Sequence, residues 1–269
     1  MKNCFERFYG GISPFVILMI VCLATFAGKY FGWETASDTT APFVFFGMTA
    51  LTEANRLNDI LKFELQNNHS REVVTVLSGQ DLAVGAVLGK IKLGTCPTTG
   101  TAGAGNTGPG TCTSVTAGAK AKLGTYTLNC IIAASGAGIF SVKDPDGYGL
   151  PDAIAGVAYV NDQINFTIND GSPDFIVGDS FTIAIAAGSL SVRAINFDAV
   201  DGSQDAYGIL TAACDATDGA LSAVAIVREA QVIEANLVWP VTSPVVSAAQ
   251  KAAAMAQFKA MGIVPRSEA

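Results

Sequence analysis

The chain has 269 residues, half of them apolar, with 16 basic and 23 acidic side chains and a formal net charge of −7. That is enough apolar chain to bury the core of one large domain or two modest ones. The 16 Lys and Arg form no cluster, which argues against nucleic acid as a direct partner, because phosphate binding concentrates basic side chains on one face.

Residues 1–47 stand apart. Phe15 to Ala27 is nearly all apolar and follows Lys2 and Arg7, the layout of a signal peptide. The run is shorter than the roughly 20 residues of a membrane span. A second reading starts the protein at Met48, whose following Thr49-Ala50-Leu51-Thr52-Glu53-Ala54 reads like a fresh N-terminus. Residues 1–47 would then be an upstream extension, and a membrane partner is not expected.

Residues 48–70 are polar and mixed, an arm expected to be weakly structured alone. Leu51, Leu57, Ile60, Leu61 and Leu65 are spaced for a short helix that Asn67-Asn68-His69-Ser70 ends. Arg71 to Leu77 is β-branched and strand-like, Ser78-Gly79-Gln80-Asp81 is a turn, and Ala86 to Ile91 is a second strand. Thr95 to Gly118 is almost entirely Gly, Thr, Ala, Pro and Ser, which predicts a flexible loop. Strand candidates then recur at hairpin spacing: Tyr126 to Ile132, Ile139 to Val142, Ile154 to Val160, Ile164 to Ile168 and Phe181 to Ala186. Asp144-Pro145-Asp146-Gly147, Asn169-Asp170-Gly171 and Val177-Gly178-Asp179 separate several of them. The pattern predicts a small sandwich or barrel.

Beyond Gly188, strands are predicted at Leu190 to Phe197, Ala206 to Thr211 and Ala223 to Val227, with a turn over Asp215 to Gly219. Ser247 with Gln250 three residues on is a capping box. The Ala-rich run to Met261 has high helix propensity, puts Met255 and Phe258 on one face, and places Gly262 at the C′ position. The fold class is α+β, mostly β.

Few residues carry the marks of chemistry. The six cysteines form no CxxC pair. Cys96 and Cys112 flank the Gly/Thr loop and would bridge in an oxidising setting, but scattered thiols of this kind are read as reduced. His69 lies in the polar arm without a nucleophile motif, and no GxSxG, phosphate loop or HExxH is present. No cofactor is expected. Asp144, Asp146 and Asp152 around a Gly turn make a weak calcium candidate; a hairpin turn explains the same residues. An enzymatic site would have to gather these acids with Asp179.

Four stretches, taken in order, resemble the lambda-type phage head decoration proteins. The first is Ser70 to Thr75 with Ser78-Gly79-Gln80-Asp81-Leu82 and Gly85 to Lys90. Asp201-Gly202-Ser203-Gln204 leading to Tyr207-Gly208-Ile209-Leu210 is the second. The third is Asp215 to Gly219 with Ala223 to Ala230. The last is Leu237-Val238-Trp239-Pro240 with the helix Ala249 to Ala254 and Met261-Gly262-Ile263. The resemblance covers Met48 to Leu93 and Gly188 to Val264. It implies a small mixed α/β domain formed by 71–94 and 188–269, interrupted by a module at 95–187 that the plain family version lacks.

The resemblance further implies a non-enzymatic homotrimer with no small-molecule substrate. Its partner would be the major capsid protein of a phage head. It would sit outside the expanded shell, assembled in the host cytoplasm, and hold it against internal DNA pressure. The arm would carry the capsid contacts, with Thr52, His69, Ser70, Arg71 and Glu72 as candidates; Arg71 and Glu72 also read as plain solvent-facing strand residues. Trp239, with Pro240, is either an interface aromatic or a lid on the core. The alternative from another class is an exported β-rich surface binding or adhesion protein.

Overall fold

The computed structural model describes residues 55–66, 69–241 and 245–267. The two readings of residues 1–47, and Thr52, lie outside the described residues.

The chain before Arg71 is less of an arm than its composition suggests. Leu57–Ile60 forms a single helical turn, α1, and runs directly into strand β1, Leu61–Glu64. Ile60 is fully buried, and Asp59 accepts a hydrogen bond from the Arg56 backbone N–H at 2.9 Å, closing the turn. β1 pairs antiparallel with β17, Ala230–Ile233, which pairs parallel with β18, Ile263–Arg266.

Five strands close into a barrel in the order β13 (Val192–Ala194), β2 (Arg71–Val76), β16 (Leu221–Ile226), β14 (Ala206–Leu210) and β4 (Val87–Lys90). A two-stranded sheet of β3 (Gln80–Leu82) and β15 (Cys214–Ala216) accompanies it. Period-two alternation sorts the side chains. Val74, Val76, Leu88, Leu210 and Ala225 belong to one buried cluster. Their neighbours Val87, Ile209 and Ile226 belong to another, formed against the C-terminal helix. Strands buried on both faces read as continuous apolar runs, as Ala86-Val87-Leu88 and Gly208-Ile209-Leu210 do. Gly89 is required by closeness: a Cβ there would run into the Ser203 carbonyl oxygen.

The helix α2 spans Ala248–Ala260 and has the capping box expected of it: the Gln250 N–H donates to the Ser247 hydroxyl at 3.2 Å, and the Ser247 N–H to the Gln250 side chain at 2.8 Å. Ala254, Met255 and Phe258 face the core. Gln257 ties the helix to β14, accepting from the Ala206 N–H at 2.7 Å. Gly262, at φ +77°, ends it.

Residues between β4 and β13 build eight strands with a core of their own. These are β5 (Thr101–Ala102), β6 (Thr111–Ala117), β7 (Gly124–Ile132), β8 (Ile139–Lys143), β9 (Gly149–Ile154), β10 (Ala158–Tyr159), β11 (Ile164–Asn169) and β12 (Ser180–Ile185). Sheet β5-β12-β7-β8-β9 and sheet β10-β11-β6 enclose a core of their own, with Tyr126, Leu128, Phe140, Phe166, Phe181 and Ile183 among its most buried members. The Gly/Thr stretch 95–118 is not all loop: β6 lies within it, and Cys112 and Val115 are buried. Small β-branched residues suffice there because β11 supplies the partner strand. The run Ile154 to Val160 is not one strand either. It breaks at Gly156, φ +80°, so β9 and β10 join different sheets.

Both ends of the module are pinned. Leu93 and Ala187 form an antiparallel bridge, the Gly94 N–H donates to the Ala186 carbonyl at 2.8 Å, and the Gly188 N–H to Lys92 at 2.9 Å.

Phe258 is fully buried between the helix and the barrel wall. Phe258→Ala should cost about 3–5 kcal/mol, seen as a lower urea midpoint at an unchanged slope; a loss well under that range would mean the helix is not integral to the body.

Candidate capsid-binding surface

β2 begins in a cross-linked rim of charge. Arg71 holds Glu64 through two hydrogen bonds, Nε to Oε2 at 2.8 Å and Nη2 to Oε1 at 2.6 Å. The bidentate pairing raises the Arg71 pKa above its already high ordinary value and spans β1 and β2. Arg228, just after β16, donates to the Glu72 carboxylate at 3.1 Å and to the His69 carbonyl at 3.0 Å. Each pair is partly exposed, so each stabilises the fold by well under about 1 kcal/mol. Their effect is to fix the positions of four charged side chains.

Next along β2 stands Val73, 71% exposed. Alternation along β2 forces it outward, because Val74 and Val76 point in. Arg71, Glu72, Val73 and Val224 line a shallow depression here.

Ser70, a candidate contact on sequence grounds, is a buried hub. Its hydroxyl donates to the Glu229 carbonyl at 2.7 Å and accepts from the Leu65 N–H at 3.1 Å, and none of the residue is exposed. A short polar residue ahead of a strand reads as surface, but here it joins the two chain segments that flank β2. Of the candidates, His69 is exposed, Arg71 and Glu72 are half-buried, and Glu64, Val73 and Arg228 are members that composition did not flag. The outward position of Val73 was the available signal; the partners of Arg71 and Glu72 are set by strand pairing.

β2 runs from Arg71 to Val76, and Val76 lies opposite Val192 at the start of β13, where the chain returns from the module. The charged rim is therefore roughly 17 Å along the strand from that junction.

Trp239 is half-buried against the helix-side core, its ring 6.4 Å from that of Phe197 and stacked on it, with the Lys251 ammonium 5.6 Å from its centroid. It acts as a lid. Pro240 borders a cavity of about 390 Å³ shared with Gln80, Asp81, Ala86 and Ala194.

The module's acids serve other purposes than a metal. Lys122 places its ammonium 2.6 Å from both Asp144 and Asp146, and Asp144 also accepts the Asp146 and Tyr148 N–H groups. The lysine thus stands between two of the three acids of the calcium candidate. Asp152 takes no part in this cluster. Asp179 caps the Thr107 and Ile176 N–H groups near Cys130, while Asp144 bonds Tyr148 in the turn between β8 and β9, so these acids do not gather into one site. The four described cysteines carry free thiols; burial pushes Cys112 up to about 11 and raises Cys96 and Cys130, which leaves them protonated and poor nucleophiles. Among the described residues no helix is long and apolar enough to cross a membrane.

The barrel thus presents an exposed valine beside residues held in ion pairs. The family model for Bacteriophage lambda head decoration protein D matches residues 50–263, and the chain belongs to that family. It is thereby a phage head decoration protein, a component of the virion capsid, in a family whose role is structural. No curated protein matches the chain. Two crystal structures of Xanthomonas campestris FlgL, in space groups H3 and C2, align over 44% of this chain and 41% and 40% of theirs, with 17% and 18% identity and TM-scores of 0.27 and 0.26. The chain spans about two fifths of the length of those structures, and at such scores the likeness carries no argument.

Ser70→Ala removes a donor and an acceptor at once and should cost about 1–3 kcal/mol, measured by urea unfolding; an unchanged midpoint would show that water replaces both bonds.

Lys122 lowers the Asp144 pKa below the ordinary carboxylate value, first through their hydrogen bond. A depressed carboxylate stabilises the fold above its unfolded pKa and loses that contribution as pH falls through the folded one. Lys122→Met should therefore destabilise the protein most at neutral pH, and the gap from wild type should narrow below about pH 4 as Asp144 protonates. A gap that stays constant with pH in thermal melts would show that the pair is electrostatically idle.

Proposed function

We propose that the protein binds the outer surface of an expanded phage head as a trimer and stabilises the shell against internal DNA pressure. The observation that carries this reading is the family match, which runs from residue 50 to residue 263. Within the body, the Val73 surface is the best candidate for the shell contact. Its apolar centre gains by desolvation, while Arg71, Glu72 and Arg228 are held in place by their mutual bonds and lose little freedom on binding. The segment that leads into β1, Thr52 included, would add main-chain pairing to the capsid protein. Ser70 positions that entry from within.

The end-to-end placement of rim and junction along β2 supports a further part of the reading. With the rim on the shell, the module at 95–187 points away from it. The trimer would sit at three-fold positions of the shell, taken up as the head assembles in the host cytoplasm.

The test is co-sedimentation with undecorated expanded shells of the matching phage, using chains that start at Met1 and at Met48. The Met48 chain should saturate the shells at three copies per three-fold site. Val73→Asp should weaken binding at least tenfold, about 1.4 kcal/mol, with an unchanged melting temperature, since an outward side chain contributes little to folding. Binding equal to wild type would remove Val73 from the contact. Absence of binding by every folded version would overturn decoration of that shell.

A further inference from the structure

The outer face of the module's larger sheet changes character along its length. Next to β7's midpoint it is polar: Asn129 stands opposite Ser141. At the end away from the body it is apolar. Ile132 stands opposite Ile139, and Ile139 opposite Ile154, so three isoleucines form one row across β7, β8 and β9. Ile139 and Ile154 point outward, because Phe140 and Ala153 beside them fill the core, and a β-bulge between Cys130 and Ile132 brings Ile132 opposite Ile139 on the same face. This is the far end of the module. Along β7 and β12, Gly124 and Ile185 pair beside the junction with the body, and Asn129 and Ser180 pair at the opposite end.

Loops extend the row into a platform. The Ala155 N–H donates to the Gly138 carbonyl at 2.8 Å and the Gly178 N–H to Cys130 at 3.1 Å, which brings the turns bearing Val157, Ile176 and Val177 to the same end. Ile132, Ile154, Val157, Ile176 and Val177 are 45–64% exposed. The platform is rigid. Phe175 anchors its turn by packing edge-on against Phe140 and Phe181, at 5.0 and 5.8 Å between ring centres, and Asp179 caps the Ile176 N–H at 3.0 Å. No charged residue occurs from Cys130 to Val142 or from Ala153 to Val160. A polar-out sandwich face should not look like this. The exposed apolar side chain is on the order of 500–600 Å², at the top of the range for a single patch on a monomer.

We propose that this platform is a self-association surface, which packs against the same platform of a second copy of this chain. Three observations select that occupant. First, the area approaches the roughly 800 Å² per partner of a standard interface, so two copies face to face give a weak, reversible pairing. Second, a neutral patch meets its own copy without like-charge cost, whereas the chain as a whole carries −7 and repels its copies elsewhere. The nearest charges in sequence, Asp152, Asp174 and the buried Asp179, are acidic and offer nothing to a phosphate headgroup. Third, the contact is through the face. β9 is the sheet's edge strand, but Pro151 within it cannot donate to a new strand, a device that blocks edge pairing. A row of β-branched side chains is suited to interdigitate with its twin as two sheet faces do.

The proposal is independent of shell binding and is tested without shells. Sedimentation velocity of the full chain, from low to high micromolar, should show reversible doubling of whichever species prevails at low concentration, strengthened by salt as the acidic chains are screened. Ile132→Thr/Ile154→Thr should keep the circular dichroism spectrum and melting temperature and weaken the doubling at least tenfold. Ile139→Cys, in the middle of the row, should give disulfide-linked pairs on mild oxidation. Doubling in the Thr variant equal to wild type would overturn the proposal, because the association would then lie elsewhere, and so would a wild-type chain that never doubles. Flotation with neutral phosphatidylcholine vesicles that is lost in the Thr variant, without doubling in solution, would also overturn it and assign the platform to a lipid surface.

Discussion

The pairing of β4 with β13, Val192 against Lys90, Arg193 against Gly89 and Ala194 against Leu88, fixes both where the chain leaves the barrel and where it returns. Everything between those strands is an excursion whose ends are already hydrogen-bonded neighbours. Loop-closure entropy grows only with the logarithm of length, about 0.6 kcal/mol per doubling, so a pinned junction tolerates a long insertion at small cost. The barrel does not need the module to close: β4 finds β14 on its other side, with Ile209 against Val87, and β13 finds β2. Gly89 lets this happen by admitting the Ser203 backbone where a side chain would stand.

Burial follows the same division. The barrel interior and the helix-side layer share strands, so Leu88 and Val87 serve two cores from adjacent positions. The module's core forms its own cluster around Phe140, Phe175 and Phe181, with Leu93 of the junction among its members. Substitutions in the two regions should add in their effects on stability, since residues far apart with no shared partners seldom couple. Such a body can keep one binding surface constant while the module carries another.

Local rules made some of this legible in the sequence. Ser247 and Gln250 cap α2 as their spacing requires, and Gly262 stops it. In the module, Tyr126 to Cys130 and Ile164 to Ile168 alternate cleanly and lie in strands. What escaped depends on partners distant in sequence. β1, β17 and β18 are four residues each, and Phe63 meets Gln231 while Ala230 meets Ile263; no local periodicity marks such short pieces. β6 was hidden by Gly- and Thr-rich composition and exists because β11 pairs with it. Asp215 and Ala216 look like a turn but add to Gln80 and Asp81 as strand. At the candidate site, Arg71 and Glu72 were visible and their partners Glu64 and Arg228 were not. Ser70 was placed on the wrong side of the surface, because a hydroxyl's polarity says nothing of whether water or backbone will satisfy it.

Charge accounts for what is left for binding. Arg71 with Glu64, Glu72 with Arg228, Lys92 with Asp205, Lys120 with Asp162, and Lys122 with Asp144 and Asp146 are matched within the chain. A matched charge contributes little new energy to a partner but retains orientation, and so it selects partners more than it attracts them. The free energy of association must then come from apolar surface the fold leaves uncovered. Two such places stand out by position: Val73 beside the ion-paired start of β2, and the isoleucine row at the module's far end. The first is small and bordered by fixed charge, as suits recognition of one defined neighbour. The second is broad and bare of charge, as suits a surface that meets its own copy. β2 separates the first from the module junction, and β7 carries the second away from it, so the two surfaces need not compete for the same neighbour.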